Sequence, residues 1–148
     1  MIEDPGPRIM AVAIGIVIQS NRVLICRRKK NDSFGGYWEL PGGKCEKGET
    51  PENCVRRELR EELDIEVTPV TPLDVIEHRY SATTVQLNPF LCRLDAGDAK
   101  PLCASELQWV SPAALREYRF PPANAPLIQM LATGCFAGGA IDLPAPEA

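Results

Sequence analysis

The chain has 148 residues, of which 45% are hydrophobic and 24% charged, with a formal net charge of −4. That size suits one ordinary domain that buries roughly 68–70% of its unfolded surface, and the balance excludes a disordered or fibrous chain. The acidic charge argues against a dedicated binder of nucleic acid polymers. The longest apolar run, Ile9 to Ile18, is too short to span a bilayer.

In chain order, Met1 to Pro7 holds two prolines and a glycine and reads as a loose arm. It lacks the pattern of a secretory signal, so a cytoplasmic chain without membrane partners is expected. Ile9 to Ile18 is a buried strand, Ser20-Asn21 a turn, and Arg22 to Arg28 the hairpin partner. A loop through Asn31, Asp32, Ser33, Gly35 and Gly36 leads to a short strand, Tyr37 to Leu40, which stops at a Pro41-Gly42-Gly43 turn. Thr50-Pro51-Glu52 starts a helix: Thr caps, Pro suits the first turn and Glu favours the positive end. Val55, Leu59 and Leu63 recur every four residues along one stripe, and the helix should end near Asp64.

Ile65 to Tyr80 reads as extended segments broken by Pro69 and Pro72. Thr84 to Leu94 is a strand in which Pro89 predicts an edge or a bulge. A loop from Gly97 to Ala104 precedes a short strand, Leu107 to Val110. Ser111-Pro112 opens a second helix to about Tyr118, and Pro126 opens a third that Gly134 ends. Residues 136–148 read as a loose terminus, so 1–148 is one α+β domain. The cysteines (Cys26, Cys45, Cys54, Cys92, Cys103 and Cys135) include no C-x-x-C pair, and His78 is the only histidine. Structural zinc is therefore not expected, and most thiols read as small apolar residues kept reduced.

The stretch from Glu39 to Ile65 carries chemistry. Glu58, Glu61 and Glu62 lie at i, i+3 and i+4, so they share one helix face beside the apolar stripe. Like charges at this spacing repel, which makes sense if a cation sits between them. Carboxylate oxygens select hard ions such as Mg²⁺ or Mn²⁺, and Mg²⁺ commonly bridges carboxylates to phosphates. Arg27, Arg28, Lys29, Lys30 and Lys44 offer positive charge for phosphate oxygens. Taken singly, each of these features has a bland reading as a solvated helix face, a strand end or a turn.

Their joint spacing decides between the readings. Gly43, five residues, Glu49, seven residues, Arg57-Glu58-Leu59, one residue, Glu61-Glu62, and then Ile65 resembles the Nudix box. The late glycine of that pattern is Asp64 here; Asp tolerates the left-handed turn a glycine would make, at a cost of about 1 kcal/mol. Trp38-Glu39-Leu40-Pro41-Gly42-Gly43-Lys44, Phe120-Pro121-Pro122-Ala123-Asn124 and Glu106-Leu107-Gln108-Trp109-Val110 are similar to segments of the MutT-type members. Together the similar segments run from about Ala11 to Leu131.

The resemblance implies a Nudix fold, an α/β/α sandwich with a central mixed sheet. It implies a Mg²⁺- or Mn²⁺-dependent pyrophosphohydrolase that takes a small nucleotide and acts as a monomer or homodimer. By the same resemblance, Glu58, Glu61 and Glu62 bind metal with the Gly42 carbonyl, and the general base is one of the three. Glu49 and Arg57 support them, while Lys44, Arg28 and Glu39 face the substrate. Glu106 or Gln108 falls where these enzymes have another metal-site glutamate, with the alignment ambiguous by two residues.

Asn124 matches a base-recognising asparagine, whose amide offers one acceptor and two donors to a base edge; the competing reading is a helix N-cap. Phe34, Tyr37 and Phe120 are equally candidates for base stacking and for core. The expected substrate is an oxidised purine triphosphate such as 8-oxo-dGTP, cleaved to monophosphate and pyrophosphate as nucleotide-pool sanitising linked to DNA repair. Pyrimidine triphosphates (CTP, 5-methyl-dCTP), dinucleoside polyphosphates and ADP-ribose are the alternatives. Ser81 to Thr84 stand where MutT-type enzymes carry charged residues, which leaves the base open. A nucleotide-binding module without activity is the non-enzyme alternative, and the intact glutamates argue against it.

Overall fold

The computed structural model describes residues 8–134; residues 1–7 and 135–148, including the expected loose termini, lie outside the described residues. β1 (Arg8–Gln19) and β2 (Arg22–Arg27) form the expected hairpin, with Ile18 opposite Val23 and Gln19 opposite Arg22. Ser20 and Asn21 take φ values of 52° and 60°. Two consecutive positive φ angles are those of the tight hairpin turn whose twist matches its strands.

The two strands then part, and the chain fills the wedge between them. β3 (Trp38–Glu39) pairs with β2, and β4 (Gly42–Lys44) pairs with β1. The expected Pro41-Gly42-Gly43 turn is thus largely a strand: Gly42, Gly43 and Lys44 sit opposite Ile14, Ala13 and Val12. The Gly15 N–H donates to the Pro41 carbonyl at 2.8 Å. Local composition reads as a turn, but the free backbone groups of the buried β1 need partners and recruit this segment.

α1 (Pro51–Leu63) begins as the sequence predicts, with Thr50 Oγ1 accepting from the Asn53 N–H at 3.2 Å. It ends at Asp64, which adopts φ 57°, ψ 42° and donates its N–H to the Arg60 carbonyl at 3.1 Å. Asp64 therefore takes the left-handed conformation itself.

β5 (Glu66–Pro72), β6 (Ile76–Tyr80) and β7 (Thr83–Ala96) follow. β7 runs parallel to β1 on one edge and antiparallel to β5 and β6 on the other. Pro89 is therefore not on an edge strand, and β7 stays in register with β1 straight through it, from Arg8–Thr83 to Ile18–Arg93. The reason is the partner on the other edge. Pro89 falls where β5 gives way to β6, and its carbonyl accepts from the Leu73 N–H at 2.9 Å. The missing N–H lies on that same edge, at the break between two partners, so no ladder bond is lost.

β8 (Glu106–Val110) pairs antiparallel with β2. The expected second helix is a 3₁₀ turn, Pro112–Glu117, with no side-chain capping bond at Ser111. At six residues it is longer than most 3₁₀ runs, and its Leu115 is buried in the cluster with Leu127 and Leu131. A further 3₁₀ turn, Pro122–Asn124, leads into α2 (Ala125–Thr133), which Gly134 ends at φ 70°.

The single mixed sheet separates two apolar clusters. On one face Ala13, Val17, Leu24 and Phe90 pack against Val55, Leu59 and Leu63 of α1. On the other, Ile14, Ile16, Val23 and Leu91 pack against Leu115 and against Leu127 and Leu131 of α2. This is the α/β/α sandwich the resemblance implies. No helix among the described residues is long and apolar enough to cross a membrane.

Candidate active site

The apolar stripe of α1 orients its acidic face. Because Val55, Leu59 and Leu63 are anchored in the core, Glu58, Glu61 and Glu62 must emerge along the helix side that borders β4 and β3. Arg57 organises the first half of that face. Its Nε and Nη2 hold both oxygens of Glu49 at 2.7 and 2.9 Å. Its Nη1 donates to Glu58 at 3.0 Å and Glu61 at 3.2 Å, and its Nη2 to the Lys44 carbonyl at 3.1 Å. Glu49 also accepts the Glu46 N–H at 3.0 Å. The Arg57 hydrogen bonds, then that N–H, hold the Glu49 carboxyl down to about 2, while Glu49 and Glu58 keep Arg57 charged.

The other half is different in kind. Burial first, and then hydrogen-bond contact with the Glu58 carboxyl and the charge of Glu39, push Glu62 up to about 9; only Arg28 opposes this. Glu39 is itself raised by burial, with Arg28 pulling the other way through a 2.5 Å ion pair. Arg28 Nε in turn donates to the Ser33 carbonyl at 2.6 Å.

Gly43 brings this face to a cleft. A Cβ on Gly43 would fall within the Glu58 carboxylate, and one on Gly42 would collide with the Ala13 carbonyl. Only bare backbone lets the helix carboxylate and β4 come this close. Gly42, Gly43 and Lys44 also line a cleft of about 610 Å³, together with Arg28, Glu39 and Asn124. Met10, Val12, Val85 and Leu87 give the cleft an apolar floor. Asn124 directly precedes α2 yet makes no side-chain capping bond. It is one of the residues that line the cleft.

Most of the expected set is therefore gathered: Glu49, Arg57, Glu58, Glu61 and Glu62 on α1 and its approach, and Arg28, Glu39, Lys44 and Asn124 around the cleft. Glu106 and Gln108 are not brought to it. Along β8, Leu107 and Trp109 pack with the α1-side cluster, so the two-residue period turns Glu106 and Gln108 to the opposite face. Glu106 instead pairs with Arg27 at 2.8 Å. Sequence reasoning missed the cleft floor, because Met10, Val12, Val85 and Leu87 look like ordinary strand core. It also missed the contact of Gly43 with Glu58, although the spacing already demanded a glycine there.

With Glu58 and Glu61 both bound to Arg57, no group of three or more His, Cys, Asp or Glu stands ready to hold an ion among the described residues. The donor chemistry nonetheless fits a hard divalent cation. Glu58 and Glu62 meet in a partly buried place, where burial first and then Glu58 hold Glu62 protonated, and a bound cation could take the place of that proton between two oxygen donors.

A family model described as "NUDIX domain" matches residues 13–130. The chain is 32% identical over 123 residues to an 8-oxo-dGTP diphosphatase of Escherichia coli, covering 82% of this chain and 95% of that one. It is 28% identical to a CTP pyrophosphohydrolase of the same organism, over 82% of this chain and 90% of the relative. Among solved structures it is similar to the E. coli ORF135 protein, at a TM-score of 0.76 and 26% identity, covering 86% and 91% of the two chains.

Proposed function

The chain belongs to the Nudix family and is a pyrophosphohydrolase of that family, and we propose that it hydrolyses oxidised purine nucleoside triphosphates such as 8-oxo-dGTP to monophosphate and pyrophosphate. The observation that carries this reading is the meeting of α1 with the cleft at Gly42 and Gly43. A triphosphate lying across these glycines would have its phosphates beside Glu58 and its base in the apolar cleft with Asn124.

Glu58, Glu61 and Glu62, with the Gly42 carbonyl, would hold Mg²⁺ or Mn²⁺. When bound, such an ion supplies positive charge at the phosphate chain and acidifies water. The remaining work belongs to the chain. Lys44 and Arg28 offset phosphate charge, and Arg57 fixes the orientation of Glu49, Glu58 and Glu61. A carboxylate of the Glu58–Glu61–Glu62 set takes the proton of the attacking water as its oxygen bonds to phosphorus. The anhydride P–O bond then breaks, and pyrophosphate departs with the bonding pair. Asn124 can pair with a base edge that offers both N–H and C=O, and a base without that edge would leave the amide unpaired.

The relation to the E. coli CTP pyrophosphohydrolase, and uncharged residues from Ser81 to Thr84 where MutT-type enzymes carry charged ones, support a second reading with a pyrimidine triphosphate as substrate. Hydrolysis of 8-oxo-dGTP, dGTP, CTP, 5-methyl-dCTP, ATP, ADP-ribose and a diadenosine polyphosphate, with Mg²⁺ and with phosphate products resolved, separates the two. A preference for 8-oxo-dGTP with release of pyrophosphate is expected. A preference for a pyrimidine would replace the substrate, and hydrolysis of none would overturn the reading.

A further inference from the structure

We propose that Phe34 determines substrate affinity by forming a stacking wall for the nucleobase, a role that rests on the nucleotide reading above. Four large apolar side chains are well exposed among the described residues, namely Ile9, Phe34, Val75 and Leu102. Of these, Phe34 lines the cleft, alongside Arg28 and Asn124, with 42% of its surface exposed. It is not a core residue. Its partly exposed ring borders the apolar cleft, where a planar base could cover it.

The backbone supports this reading. Phe34 has φ 56°, a left-handed conformation that is an outlier for a bulky residue. Such a conformation persists only where the surroundings hold it, and it is found most often where function requires it. Here the surroundings do hold it. The Tyr37 N–H donates to the Phe34 carbonyl and the Gly36 N–H to the Arg28 carbonyl, each at 3.0 Å. Arg28 Nε grips the Ser33 carbonyl at 2.6 Å. The Phe34 ring leans on Tyr37, with centroids 5.5 Å apart and planes at 59°, and the Arg119 guanidinium lies 4.5 Å from the Tyr37 ring on its own account. The ring is therefore presented as part of a fixed turn.

Arg28 joins that turn to the rest of the cleft. The guanidinium that fixes Ser33 also pairs with Glu39. Displacement of the aromatic wall and displacement of the cleft's charged lining are thus coupled through one side chain. Stacking reads the face of a base and Asn124 its edge, so the two residues divide the work: Phe34 sets how tightly a planar base is held, and Asn124 sets which one. Every base has a face to offer, but a bicyclic purine covers more of the ring than a pyrimidine does.

The test is calorimetric binding of GMP, CMP and ribose 5-phosphate to the wild-type chain and to Phe34→Ala, Phe34→Leu and Phe34→Trp, none of these ligands requiring turnover. The wild type is expected to bind GMP more tightly than ribose 5-phosphate. Phe34→Ala and Phe34→Leu should weaken GMP by roughly 5- to 150-fold, the range of one base–aromatic stack. They should weaken CMP less, leave ribose 5-phosphate unaffected, and be rescued by Phe34→Trp. In turnover the loss should fall on KM more than on kcat. Equal weakening of GMP and ribose 5-phosphate, full GMP affinity in Phe34→Leu, or a wild type that does not distinguish the two ligands would overturn the proposal. A wild type that hydrolyses no nucleotide would overturn the functional reading while the binding series still reports on Phe34.

Discussion

On α1, Arg57 donates five hydrogen bonds to Glu49, Glu58, Glu61 and the Lys44 carbonyl, whereas Glu62, little more than a turn further on, faces Glu58 and Glu39 with only Arg28 in opposition. The two halves of one acidic face thus have opposite electrostatics. The Arg57 half is satisfied by the chain itself and fixes the geometry of the approach from β4. The Glu62 half holds a proton in place of a counter-charge, because burial and the neighbouring carboxyls disfavour its ionised form, and a cation could replace that proton. The difference shows how one helix can be structural at one end and reactive at the other with the same residue type.

The largest effect should come from neutralising the reactive half. Glu62→Gln should lower kcat by about 10²–10⁴, the range for loss of a general base or of a comparable charged group. Its melting temperature without metal at pH 8 should stay level or rise, because the carboxyl is one that burial and Glu58 already disfavour when charged. A fall in both activity and melting temperature would show that Glu62 belongs with the structural half.

Arg57→Ala should act in the reverse sense. It leaves Glu49 and Glu58 without their partner, so both melting temperature and Mg²⁺ affinity should fall, the latter by about 10- to 100-fold, as when ligand-orienting partners are lost. Mg²⁺ titration followed by activity and by melting temperature checks this. Unchanged Mg²⁺ affinity would separate the two halves completely.

The pH dependence of stability sharpens the comparison further, because the two halves have opposite signs. Folded Glu62 keeps its proton up to about 9, against an ordinary value of 4.5. Its contribution is therefore present at low pH and lost as pH rises from about 4.5 towards 9. Folded Glu49 is held down to about 2. Its contribution is present above about 4.5 and lost as pH falls towards 2. Melting curves across pH in EDTA should show both losses, and Mg²⁺ should abolish the alkaline one alone.

The smallest effect is expected at Asp64, beyond both halves. Asp64→Gly removes a left-handed non-glycine residue at φ 57° and should stabilise by up to about 1 kcal/mol. The exposed pair with Lys100 offsets little of that gain, since both side chains lie mostly in solvent. Denaturant unfolding measures the gain, and kcat should stay within twofold.

Much of this was legible in the residues. The cap at Thr50, the spacing of Val55, Leu59 and Leu63 and the clustering of Glu58, Glu61 and Glu62 are local helical facts, and the structure bears them out. Asp64 as the left-handed helix end was equally local. The errors arose where a distant partner overrode local preference. The Pro41-Gly42-Gly43 segment became a strand because β1 needed partners, Pro89 was accommodated in an interior strand by a change of neighbour, and the segment after Ser111 tightened to 3₁₀.

By itself, then, the sequence determined the fold family, the acidic helix and the residues that hold it, because periodicity and motif spacing act over a few turns of chain. Only the tertiary structure decided that Glu49, Glu58 and Glu61 all lean on Arg57, that Glu106 turns away from α1, that Asn124 makes no side-chain capping bond, and that Phe34 stands partly exposed at the cleft. Each of these depends on which face of a strand meets which face of a helix. That choice is made when separate elements pack, through burial and charge acting between residues far apart in the chain.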